Sequence, residues 1–333
     1  MKSLMKTTAV VALAAFGFSA SAMAADNKVT VQLKWVAQAQ FAGYFVAKDK
    51  GLYKAAGLDV TVKPGGPDIA PEQVIAAGGA DVIVDWMPAA LAARDKGEPL
   101  VNIAQIFQKS GLELTCRKDS GVKTPADFKG KTLGVWFYGN EYPFMAWMNK
   151  LKLSTDGASP DVTVLKQGFN VDPILQKQAA CISTMTYNEY HQILESGQLK
   201  ASDLIVFKYQ NEGVAVLEDG LYTLEKNLKD KAMVDKLAKF VKATAAGWDW
   251  AVKNQAEAVD IVLKNDTTGA QTKAHQTTMM AEIAKLVEGS KKGTGYLEPA
   301  DYARTVKVVL ENKVISKAPV GAWSHKVWDE AAK

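Results

Sequence analysis

The 333-residue sequence predicts an α/β chain folded as two lobes with a ligand cleft between them, and three observations carry that expectation. Strand and helix segments alternate in the βα manner that implies mostly parallel sheets flanked by helices. The alternation runs to about residue 108 and then restarts, so two such bodies are expected. Four strands also end on an aromatic residue: Thr30–Trp35, Asp81–Trp86, Lys131–Trp136 and Cys181–Tyr187. The carboxyl ends of parallel strands feed into loops and helix N-termini, and side chains there converge on a crevice that binds ligands. One Trp or Tyr at a strand end is explained equally well by packing, because both have high β propensity. Four at equivalent positions, three of them Trp in a chain with eight, point to a shared aromatic site.

In chain order, residues 1–24 read as a secretory leader. Lys2 and Lys6 form a basic start, Ala9–Phe18 an apolar run, and Ala20, Ala22 and Ala24 offer a small-residue cleavage site. The run is too short for a bilayer, which needs about 20 residues. The mature chain is therefore expected to begin near Ala25 and to be exported to the periplasm. No Cys follows the cleavage site to carry a lipid anchor. Strands are then expected at Val29–Leu33, Leu58–Lys63, Asp81–Val84 and Val101–Phe107. They are separated by helices over Phe41–Lys50, Pro71–Ala77 and Pro88–Lys96, with Gly51 and Gly97 as stops. The second set comprises strands Leu112–Arg117, Thr132–Trp136, Val162–Leu165, Cys181–Met185 and Leu204–Phe207. Its helices are Pro143–Leu151, one around Pro173–Ala179 and one from Asn188. From Met233 the pattern changes to long amphipathic helices, such as Met233–Lys253 and Thr272–Glu288. One lobe is thus expected from 25–108 with 211–333 and the other from 109–210, joined by crossing strands that allow hinge closure.

Composition narrows the function. With 48% hydrophobic and 23% charged residues the chain can bury a sizeable core. A net charge of +4, with dispersed basic residues, argues against a nucleic-acid partner. Cys116 and Cys181 lie in apolar strand contexts and are expected as buried thiols; spacing cannot decide whether they form a disulfide instead. Two cysteines and His191, His275 and His325 give no metal-ligand spacing, and no cofactor motif occurs. No nucleophile elbow, Walker loop or Ser/His/Asp arrangement supports an enzyme.

The candidate ligand residues follow the strand ends. Trp35 is followed by Gln38, Gln40 and Phe41 at a helix start, where amide groups can hydrogen-bond a ligand edge while an indole covers its face. Pro64-Gly65-Gly66-Pro67-Asp68 forms a rigid turn; Asp68 either faces the ligand or caps the Pro71 helix. Asp85 and Trp86 precede a Pro-started helix, and Asp85 is the foremost candidate for a charge-assisted bond to a ligand donor. In the second lobe Trp136, Tyr138, Asn140 and Glu141 repeat this grammar, and Tyr187, Asn188 and Glu189 close the set. Asn188 has a simpler reading as a helix cap. Each strand end brings a carboxylate, Asp68, Asp85, Glu141 or Glu189. The cleft is therefore expected to favour a planar, donor-rich heterocycle and to disfavour sulfonate, nitrate or phosphate.

The run Gln40-Phe41-Ala42-Gly43-Tyr44-Phe45-Val46-Ala47, then Gly51-Leu52-Tyr53 and Gly57-Leu58-Asp59-Val60, resembles the opening of periplasmic substrate-binding proteins of the thiamine-pyrimidine synthase-like (NMT1-like) family. Gly65-Gly66-Pro67-Asp68, Ala76–Asp81 and Gly139-Asn140-Glu141-Tyr142-Pro143 continue the likeness over most of the chain. The resemblance implies a type II periplasmic binding fold that captures a solute for the membrane permease of an ABC importer. The expected ligand is an aminopyrimidine thiamine precursor, with riboflavin the close alternative and a sulfonate or nitrate behind it. Members that make the pyrimidine carry a cysteine-rich motif; the isolated cysteines here speak against that enzyme activity. A monomer is expected.

Overall fold

A computed structural model describes residues 27–333; the expected leader and its cleavage site lie outside the described residues. The first βα set gives strands β1 (Lys28–Gln32), β2 (Asp59–Lys63), β3 (Val82–Asp85) and β4 (Leu100–Gln105), with helices α1 (Ala42–Asp49), α2 (Leu52–Ala55), α3 (Pro71–Ala76) and α4 (Met87–Asp95). The second set gives β5 (Leu112–Arg117), β6 (Thr132–Val135), β7 (Thr163–Lys166), β8 (Cys181–Met185) and β9 (Leu204–Lys208). Its helices are α5 (Tyr142–Leu151), α6 (Asp172–Leu175) and α7 (Glu189–Glu195). The chain then adds β10 (Gly220–Leu224), α8 (Lys231–Lys253), α9 (Gln255–Asn265), α10 (Lys273–Val287), α11 (Pro299–Glu311) and α12 (Lys326–Ala331).

Two five-stranded sheets result, ordered β2-β1-β3-β10-β4 and β7-β6-β8-β5-β9. In each, one strand runs against the other four: β10 is antiparallel to β3 and β4, and β5 to β8 and β9. These are the strands that follow each crossing between lobes. They leave the cleft while the other four run toward it, so the carboxyl ends of the four face the crevice. Strand β10 was not expected from the sequence. Its five residues, GLYTL, are buried except for the last, so no polar alternation marks them as a strand.

The C-terminal helices complete the first lobe. Helix α8 carries its buried side chains Val234, Leu237, Val241, Trp248 and Ala251 at helical spacing, and it packs on α1. Two glycines permit that approach. A Cβ on Gly43 would lie 2.2 Å from the Trp248 ring, and one on Gly247 would lie 2.3 Å from the Gly43 carbonyl oxygen. Helix α1 therefore sits rigidly behind the loop that carries Trp35, Gln38 and Gln40.

The cysteines depart from expectation. Cys116 and Cys181 face one another across the β5–β8 pair and form a disulfide, with an S–S distance of 2.04 Å and both side chains buried. Strand register, which spacing in sequence does not contain, brings them together.

Candidate functional site

The four aromatic residues lie just beyond their strands. Trp86 and Trp136 directly follow β3 and β6, Tyr187 stands two residues after β8, and Trp35 three after β1. Trp35 from the first lobe meets Trp136 from the second edge to face, with ring centroids 6.0 Å apart. Trp136 Nε1 donates to the Gly168 carbonyl at 2.9 Å, and Trp86 Nε1 to Asp219 Oδ1 at 3.0 Å. Each indole is thus oriented by a fixed acceptor.

Trp35, Gln40, Trp86, Trp136, Asn140, Tyr187, Asn188 and Glu189 surround one cavity between the lobes, joined by Lys34, Gln38 and Met185. The cavity is small, about 20 Å³, room for roughly one water molecule. A planar ring enters only when Trp35 and Trp136 move apart, so the lobes stand closed.

The remaining candidates fall elsewhere. Phe41 is buried in the core against Tyr44, because its 3-10 turn points it inward. Asp68 is exposed and pairs with Lys166 across the cleft mouth at 3.0 Å. It does not cap α3, whose N-cap is Ala70. Asn188 stands at the N-cap of α7, but its side chain makes no capping bond. Tyr138 and Glu141 line an open groove of about 690 Å³ outside the cavity, with Glu72, Lys96 and Lys166. Glu141 accepts there from the Gly139 N–H at 2.8 Å. Gly139, at φ +92°, is held close: a Cβ on it would lie 3.2 Å from Lys34 Nζ.

Asp85 is not free for a ligand. Its Oδ1 accepts from Lys34 Nζ at 2.6 Å and from the Trp86 N–H at 2.8 Å, with Lys34 and Asp85 only 1% and 0% exposed. Burial pushes the Lys34 ammonium down, but Asp85, with Glu72 and Glu141 further off, outweighs it and raises Lys34 above its ordinary value. The charge argument from sequence is therefore corrected. Of the four expected carboxylates only Glu189 lines the cavity, and a lysine stands opposite it. No apolar periodicity marked Lys34, because a buried lysine requires a partner on another strand.

Glu189 is fully buried. Its Oε2 accepts from the Met185 N–H at 3.0 Å and its Oε1 from Asn188 Nδ2 at 2.8 Å, while burial pushes its carboxyl up to about 8. Asp219, which the sequence reading missed, holds the opposite wall. Its Oδ2 accepts from Gln40 Nε2 at 2.8 Å and its Oδ1 from Trp86 Nε1, and burial pushes it up to about 7. It holds a left-handed φ of +42°, uncommon for a residue other than glycine. The neighbouring Glu218 ties the two crossings together: Ser110 Oγ donates to Oε1 at 2.5 Å and the Gly111 N–H to Oε2 at 3.0 Å. A lone Glu-Asp-Gly carries no such signal in sequence. The cavity thus offers a crossed indole pair, an acceptor edge at Glu189 and a donor side at Lys34 and the Gln38–Gln40 pair. Among the described residues, no cluster of His, Cys, Asp or Glu could hold a metal ion.

Two lobes with a cleft at their strand ends define the periplasmic binding protein fold. It is shared with a solved protein of Bordetella bronchiseptica RB50, at TM-score 0.67 and 20% identity over 92% of this chain and 96% of that one. The alkanesulfonate-binding protein SsuA from Xanthomonas axonopodis pv. citri, bound to MOPS, has the same fold at TM-score 0.64 and 13% identity, covering 90% and 98% of the two chains. The chain belongs to the NMT1/THI5-like family, whose model matches residues 38–258. It is 24% identical over 239 residues to the formylaminopyrimidine-binding protein of Halalkalibacterium halodurans, covering 71% of this chain and 70% of that one. The riboflavin-binding protein RibY of Chloroflexus aurantiacus is 25% identical, over 72% and 66% of the two chains. The 4-amino-5-hydroxymethyl-2-methylpyrimidine phosphate synthase THI11 of Saccharomyces cerevisiae is also 25% identical, over 83% and 85%.

Proposed function

We propose that this chain is a periplasmic solute-binding protein that captures an aminopyrimidine thiamine precursor and delivers it to the membrane permease of an ABC importer. The observation that carries the reading is the meeting of Trp35 and Trp136 from opposite lobes beside Glu189 and Lys34. A single flat ring inserted between the indoles would stack on one and meet the other edge to face, since their planes stand 65° apart. Its exocyclic amino group would donate to Glu189, and a ring nitrogen or formyl oxygen would accept from Lys34 or a glutamine amide. Stacking contributes about 1–3 kcal/mol per ring face and a hydrogen bond to a charged group about 1.5–3. One stack, an edge contact of about 0.5–1.5 kcal/mol, the bond to Lys34 and a bond to protonated Glu189 of about 0.5–1.5 reach at their upper end the roughly 8 kcal/mol of a micromolar complex before ordering costs.

Riboflavin is the second reading, favoured by the likeness to RibY. Its three fused rings and side chain need far more room than the cavity between Trp35, Trp136 and Tyr187 offers without wide opening. A synthase role has less support. Cys116 and Cys181 are buried and bonded to each other, so neither offers a thiol for chemistry. The proposal includes export after cleavage near Ala24, action as a monomer, and lobes at 25–108 with 211–333 and at 109–210. Titration calorimetry with a formylaminopyrimidine, riboflavin and taurine tests the ligand. Micromolar binding of the pyrimidine, recovered chemically unchanged by mass spectrometry, is the expected result. Tight taurine binding with no response to either heterocycle overturns the assignment, and a converted pyrimidine overturns the transport role.

A further inference from the structure

We propose that His275, on the first lobe, is the latch that holds the closed form and positions the ligand wall of the second lobe. His275 lies in the first turn of α10, where Thr272 Oγ1 accepts its backbone N–H at 3.2 Å. Its ring crosses the cleft to α7. There Nδ1 stands 2.9 Å from Glu195 Oε2, and Nε2 stands 2.8 Å from Asn188 Oδ1. Both ring nitrogens face oxygen atoms of the second lobe, Nδ1 the Glu195 carboxylate and Nε2 the Asn188 amide. The ring is buried, and the Asn188 bond is sealed from water.

The consequence for the site runs through Asn188. With its Oδ1 held by His275, its Nδ2 points to Glu189 Oε1 at 2.8 Å, and both residues line the cavity. The next residue on α10, Gln276, braces the other wall: its Oε1 accepts from the Ala39 N–H at 2.6 Å, between Gln38 and Gln40. One helix turn therefore grips both sides of the cleft, and its contact with α7 exists only while the lobes are together. Opening breaks the histidine bonds and leaves Asn188 Oδ1 with Gln192 Nε2 of α7 alone, at 3.1 Å. His275 touches no ligand position; it is a positioning residue whose bonds couple closure to the orientation of Asn188 and Glu189.

The consequence for affinity rests on the pyrimidine reading above, whereas the consequence for closure does not. His275→Phe fills the space without donors. His275→Gln keeps a donor near the Nε2 position and loses the Glu195 contact. Three measurements apply to the full mature chain: melting temperature, radius of gyration by small-angle scattering with no added compound, and affinity for a formylaminopyrimidine by calorimetry. His275→Phe should keep its melting temperature near that of the parent, enlarge the radius and weaken affinity by about 10–100-fold, the worth of one hydrogen bond to a charged group. His275→Gln should recover most of the affinity. A radius and affinity unchanged in His275→Phe overturn the latch. A loss in His275→Gln equal to that in His275→Phe overturns the part assigned to Asn188. If the parent ignores the pyrimidine while His275→Phe still enlarges the radius, the ligand reading fails and the latch stands.

Discussion

The buried pair Lys34–Asp85 is the sharpest test of how this site is built. Lys34→Met removes the ammonium and leaves the Asp85 carboxylate in a place 0% exposed, where its Oδ2 already has no hydrogen-bond partner. Breaking a buried ion pair from one side costs about 3–5 kcal/mol, because the remaining charge is stranded. Against a total stability of about 5–15 kcal/mol that is a large fraction, and at roughly 2–4 °C per kcal/mol it lowers the melting temperature by on the order of 10 °C. The double variant Lys34→Met with Asp85→Asn removes both charges and keeps an acceptor for the Trp86 N–H, so it should regain most of the loss. The assay is thermal unfolding by circular dichroism of the two single variants and the double variant at neutral pH. A Lys34→Met protein melting within about 2 °C of the parent would refute the reasoning. So would a double variant whose loss is the sum of the two singles, since groups in contact must couple.

Trp136→Ala removes one face of the indole pair and should weaken a formylaminopyrimidine by about 1–3 kcal/mol in calorimetry; an unchanged affinity would place the ring elsewhere. Asp219→Asn, which tolerates the left-handed backbone, leaves Trp86 Nε1 or Gln40 Nε2 short of an acceptor at a cost of about 1–3 kcal/mol. Weakened binding with altered tryptophan fluorescence is the expected outcome. Glu189 and Glu218, pushed by burial up to about 8, and Asp219, up to about 7, hold protons in the fold that the unfolded chain releases above about pH 4. Stability should therefore fall as pH rises from about 5 to about 8 and then level off, and Glu218→Gln should flatten that slope; a melting temperature that climbs over this range contradicts it. Replacing Cys116 and Cys181 by Ala opens a link across 65 residues and should cost about 4 kcal/mol in urea unfolding while leaving ligand affinity intact.

Sequence alone determined what depends on local periodicity and turn chemistry. The βα rhythm, its restart after residue 108 and the long helix from Lys231 were legible because buried faces repeat at fixed intervals along the chain. The strand-end aromatics Trp35, Trp86, Trp136 and Tyr187 were legible as a group for the same reason: parallel strands deliver their carboxyl ends to one crevice. Tertiary structure decided what depends on partners distant in sequence. Asp85 looked available because its lysine is 51 residues away in the loop after β1, and Asp219 looked idle because the strand it leads into lacks alternation and its donors are 133 and 179 residues away. Cys116 and Cys181 became a disulfide through antiparallel register, and Tyr138 and Glu141 fell outside the cavity because the turn at Gly139 carries them to the outer groove. Which polar groups face a ligand depends on which charges have already been neutralised, and that pairing is fixed only when strands from separate parts of the chain lie side by side.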